Sequence, residues 1–437
     1  MREIIQQKLA DGIAFTPPEM TVREARVPNV PGKAYAVIGM RRSGKTWFLY
    51  QCLKERLTRG APRETLVYIN FEDERLAGME TRHLSLVLEE YFLRFPDFRD
   101  RRKVTFFLDE IQVVPGWETF VRRVLDSEKV EIFLSGSSAR LLSREIATSM
   151  RGRAMETVIF PFSFREFLRH HGVEPPDNPA FVPKRKRSEL EGMFQNYLKW
   201  GGFPEAQGIA DRDRISLIQG YTDTAVFRDV LERHGISNIT ALRHLVRHLL
   251  STPAGLFSVH KFHNDLRSRG VPVAKDSLHQ FLGHLEDAFL VRLISLATTS
   301  ERRRESNPRK VYPIDPAIAV AFDRSGKANT GHLLETVVLL ELERRACETA
   351  YVLSPEGFEV DFHTTSPEGR RMLIQVAADL EDEAVRNREM RALSDALPAY
   401  RKAQPILLTM TSTDALATKS LAPPSFAVLP VWEWLLL

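Results

Sequence analysis

Residues 39–46 read Gly39-Met40-Arg41-Arg42-Ser43-Gly44-Lys45-Thr46, a G-x-x-x-x-G-K-T loop. The residues before it, Ala34-Tyr35-Ala36-Val37-Ile38, are apolar, carry β-branched and aromatic side chains, and end at a glycine. That pattern predicts a buried strand. After the loop, Trp47 to Leu57 shows the spacing of a helix. A glycine-rich turn between strand and helix cradles phosphate: the glycines let backbone N–H groups turn inward, and the helix N-terminus adds the positive end of its dipole. Gly39, Arg42, Ser43 and Gly44 form that cradle. Lys45 is the residue to reach the β- and γ-phosphates, and Thr46 offers a hydroxyl to Mg²⁺. The expected ligands are therefore ATP and Mg²⁺.

Outward from the loop, strand and helix alternate. Leu66-Val67-Tyr68-Ile69-Asn70 predicts a second strand and His83 to Phe95 a helix; Val104 to Leu108 predicts a third strand, Trp117 to Leu125 a helix, and Val130 to Leu134 a fourth strand. Regular alternation calls for a parallel sheet covered by helices on both faces. The third strand ends in Leu108-Asp109-Glu110. Two acids at a strand end suit metal-assisted hydrolysis, with Asp109 holding Mg²⁺ through its water shell and Glu110 polarising the attacking water. The fourth strand ends in Ser135-Gly136-Ser137-Ser138. Ser135, with Ser137 second, is the expected sensor of the γ-phosphate; an ordinary turn capping the next helix is the competing reading. In Arg151-Gly152-Arg153 either arginine can bring charge to the transition state, in cis or from a neighbouring subunit, and Arg153 is the preferred candidate; a plain surface pair competes.

The bulk numbers set outer limits. A chain of 437 residues suggests two or three domains. A net charge of +4, from 61 Lys+Arg against 57 Asp+Glu, excludes a surface uniformly coated for nucleic acid but allows local basic patches. No apolar run approaches the roughly 20 residues of a membrane span, and Met1 to Gln7 lacks the features of a secretory signal. Cys52 and Cys347 form no ligand or redox motif. The expected setting is the cytoplasm.

Residues 1–30 read as a polar helix and a proline-marked connection, and residues 31–160 as the nucleotide-binding core. Residues 161–235 then lose their strand-like runs and read as a helical lid, with Lys184-Arg185-Lys186-Arg187 as an exposed loop. Residues 236–315 contain helical segments near Ile239–Leu250, Val259–Ser268 and Lys275–Ala288. Phe289-Leu290-Val291-Arg292-Leu293-Ile294 and Lys310-Val311-Tyr312 follow as paired strands around an Arg-rich turn, which together describe a winged helix. Residues 316–437 read as a further α/β unit.

The chain resembles a prokaryotic family of AAA-type P-loop ATPases with a C-terminal, restriction-nuclease-like domain of unknown function. The carriers are Gly39–Thr46, Leu108-Asp109-Glu110-Ile111-Gln112 with Trp117, Ser135-Gly136-Ser137-Ser138, Arg151-Gly152-Arg153, the Phe160–Phe167 segment and Gly201-Gly202-Phe203-Pro204-Glu205. The resemblance implies an ATPase, a winged-helix connector and a nuclease-like tail. Such tails use an acid on a helix, an acid on a strand, then Glu-x-Lys on the next strand. Glu335 and Asp361 match the first two positions. The third reads Gln375-Val376-Ala377, so glutamine replaces the acid and alanine the lysine. No lysine lies between Lys327 and Lys402, and the expected tail is a scaffold or partner-binding surface without nuclease activity. The candidate recognition helix, from Lys275 to Asp287, is nearly neutral. Arg302-Arg303-Arg304 and Arg309-Lys310 in the wing are better placed to grip phosphates without reading sequence. DNA or RNA through this wing, a protein partner, and further copies of the chain all stay open as partners.

Overall fold

A computed structural model describes residues 1–136, 150, 152–323, 329–354 and 356–437; Ser137, Ser138 and Arg151 lie outside the described residues. The chain divides into two compact units, Met1–Phe160 with Asp287–Phe289, and Pro161–Glu286 with Leu290–Leu437.

The first unit is built on five parallel strands: β1 (Ala34–Ile38), β2 (Leu66–Asn70), β3 (Val104–Asp109), β4 (Val130–Gly136) and β5 (Ala154–Val158). Their order is β2-β3-β4-β1-β5. Every residue of β1 and β3 is buried, as strands covered on both faces require. Phe107 of β3 stacks on Phe133 of β4 at 5.0 Å between ring centroids, and the Arg56 guanidinium lies 4.5 Å from the Phe133 centroid on the same helical layer. The edge strand β5 reads Ala-Met-Glu-Thr-Val and has no apolar run, so the sequence pattern does not announce it.

The N-terminal helix Arg2–Ala14 packs on β2. Gly12 makes this contact possible, because a Cβ there would lie 2.1 Å from the Tyr68 carbonyl oxygen. The Arg63 guanidinium donates to the Gly12 and Phe15 carbonyls at 2.6 and 2.8 Å and so satisfies the end of that helix.

The second unit carries the helices Phe164–His170, Lys184–Trp200 and Asp211–Thr224, the last running on into a π-helical segment, Ala225–Glu232. Lys184 to Arg187 is no loop: it forms the first turn of Lys184–Trp200, started by Pro183 at the N-cap. Helices Ile239–Ser251, Val259–Ser268 and Lys275–Asp287 follow at the expected places. The antiparallel sheet of this region has three strands, β6 (Gly255–Phe257), between the first two of these helices, and β7 (Val291–Ile294) and β8 (Arg309–Pro313) after them, in the order β6-β8-β7. Arg302 to Arg304 lie on a short helix, Glu301–Ser306, capped by the Ser300 hydroxyl, and not in a turn.

The C-terminal part is a mixed sheet ordered β13-β12-β11-β10-β9, with β9 (Glu348–Leu353), β10 (Glu359–Thr365), β11 (Arg371–Ala377), β12 (Ala403–Thr409) and β13 (Ala427–Pro430). The β9-β10-β11 pairs are antiparallel and the β11-β12-β13 pairs parallel. The helix Thr330–Arg344 packs on this sheet. One hydrophobic cluster joins Phe164, Phe194 and Tyr197 to Leu334, Val338, Phe362 and Trp432. The helical part after Pro161 and the C-terminal sheet therefore share a core.

The Phe107–Phe133 stack supports the strand that ends in Asp109. Phe107→Ala should destabilise the first unit by about 3–5 kcal/mol, read as a lower denaturation midpoint at unchanged slope; a change under about 1 kcal/mol would mean that the core reseals around the loss.

Candidate functional site

At the carboxyl end of β1 the chain turns through Gly39, with φ of +150°, and Arg42, with φ of +65°, to Gly44, with φ of +99°, which is the N-cap of the helix Lys45–Thr58. Gly39 is required on two counts: its dihedral is one that side chains avoid, and a Cβ would meet the Ile159 carbonyl oxygen at 2.3 Å. The Lys45 ammonium donates to the Gly39 and Met40 carbonyls at 3.1 and 3.0 Å, so it arches over the loop. Ser43 is fully buried and its hydroxyl has no hydrogen-bond partner among the described residues. An orphaned buried hydroxyl inside a glycine-strained loop suits a cradle made for a phosphate oxygen.

Because β4 lies between β1 and β3, Ser135 and Asp109 reach the same sheet edge as the loop. Asp109 is fully buried and accepts three hydroxyl hydrogen bonds. Ser135 donates to its Oδ1; Thr46 and Tyr68 donate to its Oδ2 at 2.9 and 2.7 Å. Burial raises the Asp109 carboxyl above the ordinary aspartate range, the Ser135 and Tyr68 hydrogen bonds oppose the rise, and the Glu110 charge adds to it. Ser135 Oγ also accepts from the Glu110 N–H at 2.9 Å, tying the two acids to one hydroxyl. Glu110 has a φ of +54°, and its carboxylate accepts from the Gln112 amide. The donor set of Thr46 hydroxyl and Asp109 carboxylate fits Mg²⁺ held beside a nucleotide's phosphates, a hard cation that prefers oxygen and keeps several waters.

The sheet edge thus brings together Gly39, Arg42, Ser43, Gly44, Lys45, Thr46, Asp109, Glu110 and Ser135. It leaves Arg153 out. The Arg153 carbonyl accepts from Ala34 N at the opening residue of β1, a full strand length from Gly39. Its guanidinium pairs with Asp126. A cis contribution to the phosphates from Arg153 is incompatible with this placement.

Three residues at this site carried no sequence signal. Arg23, buried in the proline-marked connection, donates to the Ser43 carbonyl at 2.8 Å and to the Phe160 carbonyl, clamping the loop from behind. Tyr68 is an aromatic of β2 whose hydroxyl, reached by Tyr50 at 3.3 Å, is the second donor to Asp109 Oδ2. Glu72, just past β2, lies 3.7 Å from the Arg41 guanidinium. Its carboxyl is raised by burial and by the Glu110 charge.

The C-terminal positions also come together, but with a lysine that the local sequence does not offer. Lys310, on β8, places its ammonium 2.8 Å from Glu335, 2.7 Å from Glu359 and 3.0 Å from Asp361. Burial alone would lower the Lys310 pKa, yet Asp361, Tyr312, Glu335 and Glu359 hold it well above the ordinary value. Glu335 is pushed up to about 8 by burial and by Asp361. The other Asp361 oxygen accepts from Val376 N at 2.9 Å, and the Gln375 side chain bridges Asp361 N and Glu389. Lys310, expected in a phosphate-gripping wing, is 2 % exposed and engaged by carboxylates. Among the described residues no group of three or more His, Cys, Asp or Glu is arranged to hold a metal ion. No helix among them is long and apolar enough to cross a membrane.

Residues 31–168 match an AAA domain family and residues 191–329 a domain of unknown function. An uncharacterized protein of Methanocaldococcus jannaschii is 32% identical over 419 residues, covering 94% of this chain and 90% of that protein. An uncharacterized protein of Haemophilus influenzae is 28% identical over 348 residues, covering 79% and 82%. Among solved structures, a Walker-type ATPase of Pyrococcus abyssi is similar at 16% identity and a TM-score of 0.42, covering 74% of this chain and 95% of that one.

Lys310→Met leaves the buried Asp361 carboxylate, and the half-buried Glu335 and Glu359 beside it, without their cation and should cost about 3–5 kcal/mol of stability near neutral pH. Lys310 has a folded-state pKa raised above 10.5, so its contribution is complete below that pH and is lost as the pH climbs through the raised value. The stability gap between wild type and Lys310→Met, followed by chemical denaturation, should therefore narrow only above pH 10.5. A gap that is constant into alkali, or absent at neutral pH, would remove Lys310 as the counter-charge.

Proposed function

This chain belongs to the prokaryotic AAA-type P-loop ATPases, and we propose that it binds ATP with Mg²⁺ and hydrolyses it, coupling turnover to remodelling on nucleic acid. The observation that carries the hydrolysis reading is the 2.9 Å contact of Thr46 with Asp109, beside a loop whose Ser43 hydroxyl is buried without a partner among the described residues. Lys45 and the amides of Gly39 to Gly44 hold the phosphates. Thr46 and Asp109 hold Mg²⁺, which when bound supplies positive charge against the phosphate oxygens. Glu110 orients the attacking water and accepts its proton. Ser135, bonded to both acids, registers the γ-phosphate. Any charge that Arg153 brings to the reaction comes from a neighbouring copy, in a homo-oligomer.

The nucleic-acid reading rests on the three helices Ile239–Ser251, Val259–Ser268 and Lys275–Asp287 with the sheet β6-β8-β7, which read as a winged helix. Arg302 and Arg303 stay exposed beside it. A second reading, an ATP-driven conformational or assembly switch whose C-terminal domain binds a protein partner, is favoured by the engagement of Glu335, Glu359 and Asp361 with Lys310. In both readings the nuclease-like C-terminal domain has no nuclease activity, and the protein works in the cytoplasm.

Steady-state ATP hydrolysis by wild type and by Glu110→Gln, with and without DNA and RNA, tests these readings. Glu110→Gln should lower turnover by about 10²–10⁴-fold while ATP binding persists, and Lys45→Ala should lose binding itself. Wild-type turnover should rise with nucleic acid. An unchanged rate, together with nucleotide-dependent assembly, selects the switch. Wild-type protein that binds ATP without turning it over, alone or with nucleic acid, overturns the hydrolysis reading.

A further inference from the structure

The second unit contains a groove of about 1180 Å³ that none of the roles above uses. One wall is the end of the helix Asp211–Thr224 and the π-helical segment Ala225–Glu232; the other is the helix Ile239–Ser251. Leu242, Val246 and Leu266 are buried along its base.

The rim is different. Arg243 and Arg247, four residues apart, share one exposed face of Ile239–Ser251, and Arg228 faces the groove from the opposite wall. These guanidinium groups have no carboxylate partner among the described residues. Of the acids in the groove, Asp265 is taken by Arg269 at 3.0 Å and Asp323 has an interaction of its own. Among the described residues that line the groove, Asp223 is the acid left to offset these arginines. Next to Arg228 stands Phe227, 52% exposed, an aromatic ring offered to solvent on the groove wall. Both residues ride on the π-helical segment, a backbone form that is rare and frequent at functional sites.

We propose that this groove binds single-stranded nucleic acid, with Arg228, Arg243 and Arg247 on the phosphates and Phe227 stacked on a base. Unpaired guanidinium groups select a polyanion. An exposed aromatic among them selects one that carries flat π-faces, which a duplex conceals and a single strand displays. An acidic peptide would satisfy the arginines and leave the ring without a matching partner. The proposal rests on the nucleic-acid reading above and moves its contact from the wing, where Lys310 is engaged by carboxylates, to the groove.

The test is fluorescence anisotropy of full-length protein with a labelled oligo-dT, a labelled duplex and a labelled oligo-glutamate, across a salt series. The variants are Phe227→Ala and Arg243→Glu/Arg247→Glu, all at exposed positions, with melting curves to verify that they fold. Wild type should bind oligo-dT more tightly than duplex. Phe227→Ala should weaken oligo-dT by between about 5-fold and 150-fold. The double variant should weaken it by about 10-fold or more and reduce the log–log salt slope by about 1.4, the share of two phosphate contacts on a single strand. Basal ATP turnover should stay at the wild-type level in both. Oligo-dT binding that ignores these substitutions overturns the groove and leaves the nucleic-acid reading standing. Failure of wild type to bind any oligonucleotide, with ATP turnover intact, overturns both. Oligo-glutamate bound in place of oligo-dT, and lost in the double variant, also overturns the proposal and assigns the groove to an acidic protein segment.

Discussion

Asp109 is held where four chain segments converge, its own strand and those carrying Thr46, Tyr68 and Ser135, and the insertion of β4 between β1 and β3 makes that convergence possible. Parallel strands align their carboxyl ends, so the loop after Ile38, the acids after Leu108 and the hydroxyl of Ser135 share one edge. Were β3 to pair directly with β1, no residue would bridge Asp109 to Glu110 as Ser135 does. The aromatic layer of Tyr35, Phe107 and Phe133, residues paired across the strands, packs beneath this edge with ring centroids about 5 Å apart. Arg23 then holds the loop from behind through the Ser43 carbonyl.

The sequence made the central strands legible because they are buried on both faces and therefore read as unbroken apolar runs. β1 and β2 begin and end at the residues their composition predicts. The edge strand β5 was illegible for the converse reason: with one neighbour and partial exposure, it tolerates Glu156 and Thr157 and shows no run. Lys184 to Arg187 followed a related logic. A basic run beside prolines suggests a loop, but Pro183 at an N-cap starts a helix, and the apolar stripe of Leu190, Phe194, Tyr197 and Leu198 lies farther along.

Among the candidate site residues, those on a motif were visible and those delivered by tertiary packing were not. Asp109, Glu110, Lys45 and Thr46 announce themselves through spacing. Arg23, Tyr68 and Lys310 do not, because the contacts they make span gaps in the chain that no periodicity encodes. The missing lysine of the C-terminal cluster illustrates the limit. A search near Gln375 finds none, since the ammonium arrives from β8, which precedes the helix that carries Glu335.

The two buried carboxylate clusters answer the same electrostatic problem in opposite ways. Burying an ionised carboxylate in a low-dielectric interior is costly unless something compensates it. Around Glu335, Glu359 and Asp361 the compensation is internal and permanent: a lysine with few exposed atoms, its pKa held high by the acids it serves. Around Asp109 the three partners are neutral hydroxyls. They orient the carboxylate without cancelling its charge, and burial leaves that charge destabilised relative to water. A cation arriving with a nucleotide would relieve the penalty, whereas the Lys310 cluster gives an arriving cation less to gain. The same chain therefore contains one acidic site prepared to gain from a ligand's charge and one already closed by its own.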